Sequence, residues 1–143
     1  MDTGSSKTAL AVGFDGSPAS NRALAFAFDL AHSRGQPVFL VHASQRDDRR
    51  AEPTTDEEAA TVQDAIAAAV AGWSARASRE EVRFTAVVRE GDPVTILLAV
   101  AREVGASQIV VGTRGLGSVA RVVLGSVSAG VLAQAKVPVT VVP

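Results

Sequence analysis

The sequence predicts an α/β protein with a parallel sheet and helices on both faces. Three observations lead there. Short apolar runs alternate with stretches of helical periodicity, in the order β-α-β-α-β-α-β-α-β. The run Thr8–Phe14 (TALAVGF) is apolar without interruption, as a strand covered on both faces is. Right-handed crossovers between successive strands leave few arrangements other than a parallel sheet.

The elements follow in order. After the strand Thr8–Phe14, Asp15-Gly16-Ser17-Pro18 reads as a turn into a helix, with Ser17 as cap and Pro18 in the first turn. Leu24, Ala27, Phe28 and Ala31 form its apolar stripe and Gly35 ends it. Pro37–Ala43 (PVFLVHA) is the second strand, and Ser44–Thr54 is the one long polar loop, read as a solvated connection. Thr55-Asp56-Glu57-Glu58 has the form of a capping box. It opens an Ala-rich helix whose inner face is Val62, Ile66, Val70, Trp73 and Ala77, with Trp73 as packing. In Val82–Arg89 the expected inner face is Val82, Phe84, Ala86 and Val88.

Asp92 caps a third helix that begins at Pro93, buries Ile96, Leu97, Val100, Ala101 and Val104, and closes at Gly105. A fourth strand centred on Ile109–Val111 enters a glycine-rich loop, and a fourth helix spans about Ser126–Ala135. The last strand, Val137–Val142, is valine-rich and uncharged. A bare edge of that kind invites pairing, and the expected solution is a homodimer through the same strand of a second copy.

Composition sets limits. The chain has 143 residues, enough for one domain over its whole length, a net charge of −1 and no cysteine. This balance makes no case for nucleic acid as a partner. Disulfides and thiolate metal sites are excluded, and His32 and His42 are too few for a zinc site. No apolar run approaches a membrane span, and the polar start MDTGSSKT lacks a signal-peptide core, so the expected location is cytoplasmic.

The functional signal is concentrated in Gln108–Val127, QIVVGTRGLGSVARVVLGSV, with Gly112, Gly115, Gly125 and Ser126 spaced as G-x2-G-x9-G-S. A strand that passes through such a loop into a helix N-terminus offers backbone N–H groups to an anion. After Glu103 the chain has no acidic residue, only Arg114, Arg121 and Lys136, so nothing there repels phosphate. A Walker A loop is excluded because no Gly-Lys pair exists. A dinucleotide fingerprint forced onto Gly115, Gly117 and Ala120 lies too near the C-terminus and lacks its later acid. Ligands of open parallel sheets bind beyond the carboxyl ends of the strands. Asp15, Val41-His42 and Gly112-Thr113-Arg114-Gly115 all fall there. Asp15 read alone is equally a turn residue. His42 reads as packing, and His32 as a cation at a helix end.

VGFDGSP, LVHA, EGDPVTILLAVAREVGASQIVVGTRG and GLGSVARVVLGSVSAGVLAQAKVPVTVVP together resemble the universal stress protein family, in its nucleotide-binding branch. The resemblance implies a flavodoxin-like sheet in the order 3-2-1-4-5, a homodimer through the last strands and ATP between the first and fourth strands, with Mg²⁺ on the phosphates as a possible aid. On that pattern Gly13, Phe14 and Asp15 border adenine and ribose, and Val41 covers the base through side-chain and main-chain contacts. Gly112, Arg114, Gly115 and Gly117 line the ribose-phosphate path, and Gly125, Ser126, Val127 and Ser128 hold the phosphates. Ser107 departs from the Asp of many relatives and is expected to affect local capping only. The resemblance implies a nucleotide-dependent regulator in stress response. A slow ATPase and a nucleotide-free interaction module are the alternatives, and no general base beside the phosphates is evident in the sequence.

Overall fold

The structure is a computed structural model, and it describes residues 8–44, 56–113 and 124–143. Nine elements alternate: β1 (Ala9–Gly13), α1 (Pro18–Arg34), β2 (Val38–Ser44), α2 (Asp56–Glu80), β3 (Phe84–Glu90), α3 (Pro93–Glu103), β4 (Ala106–Gly112), α4 (Ser126–Gln134) and β5 (Val139–Val142). The strands form one sheet in the order β3-β2-β1-β4-β5, with every pair parallel. This is the flavodoxin-like order that the family resemblance implied.

Period-two alternation sends side chains to both faces of the sheet, and each face has its own core. Leu10, Val12, Val38, Leu40 and Val110 pack against α1 and α2, where Leu24, Phe28, Ile66 and Ala77 meet them. Ala11, Val41, Ile109 and Val111 pack against α3 and α4, through Leu97, Val100 and Val131. Phe28 is fully buried, and Trp73 and Phe84 meet its ring edge-on at centroid distances of 5.0 and 5.6 Å. The indole N–H of Trp73 donates to Asn21 Oδ1 at 3.0 Å, so this tryptophan is a packing residue, as expected.

The helix ends follow their local chemistry. Ser17 caps α1 by accepting from the Ser20 N–H, and Gly35 closes it in the left-handed conformation. Asp92 caps α3 by accepting from the Thr95 N–H. Both helices carry Pro in the first turn.

Several expectations are corrected. The fourth helix begins at Ser126 and ends at Gln134, one residue short of Ala135, and its cap is Gly125, which has no side chain to make a cap bond. Val62 and Val88, assigned to inner faces, are 59% and 56% exposed. Both line the crevice over the carboxyl ends of the strands. Val82 is buried but precedes β3, and its N–H donates to Ala77 O at the end of α2. Ser107 does not cap; its hydroxyl accepts from Gln36 Nε2 at 3.3 Å. The capping residue Thr55 and the loop Ser44–Thr54 from residue 45 onward lie outside the described residues.

The close approach of α1 to the tip of β4 is the tightest constraint around the crevice. A Cβ on Gly112 would lie 2.5 Å from the Ala19 carbonyl carbon and 2.6 Å from its oxygen. No side-chain rotation relieves a clash with backbone. Gly112→Ala is therefore expected to lower stability by about 1–3 kcal/mol or more. Urea unfolding measures it, and an unchanged midpoint would show that α1 yields freely.

Candidate functional site

A crevice of about 970 Å³ runs over the carboxyl ends of the strands, within the range of small-molecule sites. It lies where the strand order reverses, the position at which open parallel sheets bind ligands. Of the residues expected at the site, Gly13, Phe14, Asp15, Val41, Gly112, Gly125, Ser126, Val127 and Ser128 all line it. Arg114, Gly115 and Gly117 lie outside the described residues.

At one end of the crevice is the start of α4. The first intrahelical bond runs from Ala129 N–H to Gly125 O at 3.0 Å. The earlier N–H groups of a helix have no partner within it, and Gly125 supplies no side-chain acceptor for them. Ser128 is 2% exposed and turns its hydroxyl inward to Gly125 O. The Ser126 side chain is exposed. The start of α1 is different, because its own chain occupies it: Ser17 N–H donates to Asp15 Oδ1 at 2.8 Å and Ser20 N–H to Ser17 Oγ at 3.1 Å. Of these two helix starts at the crevice, only that of α4 has no side-chain cap bond among the described residues.

Asp15 therefore serves the turn through Oδ1. It also lines the crevice, so the turn reading and a ligand contact are compatible. Burial pushes the carboxyl up. Hydrogen bonds from the Ser17 side chain and backbone and from Ser20 outweigh it and hold Asp15 below its ordinary value.

At the other end is the edge of β2. Even-numbered residues of β2 turn their main-chain groups to β3: Val38 N–H donates to Arg83 O, and Ser44 O accepts from Gly91 N–H. Odd-numbered residues turn to β1, where the last rung is Phe14 N–H to Val41 O at 2.9 Å. The Val41 carbonyl is thus committed to the sheet, and its side chain, 3% exposed, packs on the α3–α4 face. The next odd residue, Ala43, turns its N–H and C=O to the side that β1 has left. Among the described residues neither has a backbone partner, and Ala43 lines the crevice. Sequence reading did not single out Ala43. The signal was the length difference between the first two strands, which apolar runs do not resolve to one residue.

Sequence reading also missed the α2 and β3 wall, where Gln63, Ile66, Val70, Ala86 and Val88 line the crevice. His42 lines it too, and its Nδ1 lies 2.8 Å from Phe14 O. No group of three or more His, Cys, Asp or Glu among the described residues is arranged to hold a metal ion. No helix among them is long and apolar enough to cross a membrane.

An open α/β sheet with a ligand crevice at its switch point is the class defined by this geometry. The family model of the universal stress proteins matches residues 8–143, and the chain belongs to that family. It is 38% identical over 132 residues to a universal stress protein of Mycobacterium tuberculosis, covering 91% of this chain and 43% of the relative. A Mycolicibacterium smegmatis relative is 35% identical, with coverage of 96% and 46%. The chain thus spans less than half the length of these curated relatives. A universal stress protein solved in complex with cAMP is 30% identical, with a TM-score of 0.71 and coverage of 95% and 97%. One from Archaeoglobus fulgidus in complex with dAMP is 26% identical, with a TM-score of 0.69 and coverage of 95% and 98%.

The depressed carboxyl of Asp15 has a consequence for pH. A carboxyl whose folded pKa lies below its unfolded value stabilises the fold above the unfolded value, and the gain is lost as pH falls through the folded one. Asp15→Ala removes the carboxylate. The stability difference between wild type and this variant is expected to be full at pH 7 and to shrink below about pH 4. Urea unfolding of both proteins across that range tests it; a difference independent of pH would contradict it.

Proposed function

We propose that this chain is an adenine-nucleotide-binding regulatory protein, with ATP as the ligand expected in the cell. One observation carries the reading: a single crevice joins a helix start without a side-chain cap bond, suited to phosphate, to a main-chain donor and acceptor on Ala43 that have no backbone partner among the described residues. β4 and β2 are two strand spacings apart, roughly 10 Å. That is the scale separating the base of a nucleoside from its phosphate. Adenine offers an amino donor beside a ring-nitrogen acceptor, the complement of a C=O beside an N–H. The Asp15 carboxylate lines the same crevice and is suited to ribose hydroxyls. The cAMP and dAMP complexes of relatives support the ligand class.

Charge-assisted bonds from a few donors contribute roughly 1.5–3 kcal/mol each, and micromolar affinity needs about 8 kcal/mol net. Base burial and phosphate contacts reach that without a lysine clamp. Mg²⁺ would enter with the phosphates rather than through a protein cage. The residues that meet the phosphates are main-chain donors and serine hydroxyls, which stabilise an anion but do not abstract a proton. Regulation is therefore favoured over hydrolysis, and a stress role is the family's.

The single-domain organisation and a cytoplasmic location complete the proposal, together with a homodimer through β5. Val139–Val142 pairs β4 on one side and is only partly buried, and Leu132 of α4 is 43% exposed. An uncharged edge of this kind is covered most simply by its own copy.

Two outcomes are expected. ATP binds in equilibrium dialysis, and ITP, whose 6-oxo base reverses the donor–acceptor order, binds about tenfold more weakly. No ATP bound at millimolar concentration would end the reading. Separately, Val141→Lys is expected to convert the dimer to a monomer in analytical ultracentrifugation, because a lysine on each copy would oppose edge pairing.

A further inference from the structure

We propose that His42 is a positioning residue that keeps the Ala43 edge open, an inference that rests on the nucleotide reading above. The ladder between β1 and β2 follows a fixed order of rungs. Leu10 N–H donates to Pro37 O and Phe14 N–H to Val41 O. The next rung of a parallel ladder is Ala43 N–H to Phe14 O. It is not formed: the paired register stops at Gly13 and Val41, and Phe14 lies outside β1. In its place His42 Nδ1 lies 2.8 Å from Phe14 O. A carbonyl oxygen only accepts, so Nδ1 carries the proton and donates.

The substitution of one donor for another has a direct result. Phe14 O is satisfied by a side chain, and Phe14 itself is 3% exposed, so an unmet carbonyl there would be costly. The Ala43 N–H, relieved of that duty, meets no backbone partner among the described residues and lies beside its own C=O. Without His42 the simplest way to satisfy Phe14 O is to close the missing rung. Closure consumes the donor that a ligand base would use. His42 thus acts through Ala43 and need not touch the ligand.

The test uses the full chain and AMP and IMP as probes, with amide exchange by NMR as a readout independent of ligand. In the wild type, the Ala43 amide is expected to exchange rapidly in the free protein and to be protected by AMP. In His42→Leu it is expected to be protected before any ligand is added, with AMP binding weakened about tenfold and the preference for AMP over IMP lost. His42→Asn, whose Nδ2 takes the place of Nδ1, is expected to restore rapid exchange and the preference. His42→Met, which keeps the bulk but has no N–H donor, replaces His42→Leu if the latter does not fold.

Slow exchange of Ala43 in the free wild type would overturn the proposal. So would rapid exchange and an unchanged AMP preference in His42→Leu or His42→Met. If the wild type binds no AMP, the nucleotide reading fails, while the exchange rates still decide whether His42 holds the edge open.

Discussion

The crevice exists because β1 leaves the sheet one rung before β2 does. Phe14 N–H makes the last bond to Val41 O, and the chain then turns at Asp15-Gly16 into α1. Gly16 has φ +82°, a conformation in which L side chains are strained, so the turn is tight. On the other flank β4 continues to Gly112, and Thr113 N–H still donates to Val142 O. A short strand between two longer ones leaves a notch at the switch point. Main-chain groups on its walls lose their neighbours there without being covered by side chains. A ligand that enters the notch meets a set of backbone donors and acceptors whose geometry is fixed by the sheet.

Depth in this notch depends on how closely α1 can approach β4. The missing side chain of Gly112 lets the Ala19 backbone sit against the strand. Gly130 does the same between α3 and α4, where a Cβ would lie 2.8 Å from Val94 Cγ2. One glycine that a motif marks as ligand-facing is therefore a packing glycine as well. Loss of binding on its substitution does not separate the two roles. For Gly112 the steric term alone is large enough to move α1, and with it the turn that carries Asp15.

The architecture was legible in the sequence because it rests on signals that act locally. Apolar runs, the Ser17-Pro18 and Asp92-Pro93 starts and the Gly35 stop each follow from a few neighbouring residues. The sheet order itself came only with the family resemblance, since alternation constrains handedness but not which strand is central. The crevice was legible at Gly112 and Gly125, which line it, because glycine spacing leaves a trace in the sequence. It was not legible at Ala43, because a main-chain group that lines a crevice places no demand on residue type. The exposure of Val62 and Val88 was missed for a related reason: periodicity tells which face a residue is on, not whether that face is covered at that height.

Electrostatics gives the crevice a direction. Asp15 keeps its carboxylate charge, because Ser17 and Ser20 hold its pKa down. A negative group at the start of α1 repels phosphate and satisfies that helix's own N–H groups. The start of α4 has no acidic residue in its first turn and no side-chain cap bond. In the proposed reading an anionic ligand is thus turned away from one helix and toward the other, its hydroxyl donors face the carboxylate, and its uncharged end lies at the edge of β2. The starts of α1 and α4 both line the notch, and a single aspartate turned back on its own loop makes the difference between them.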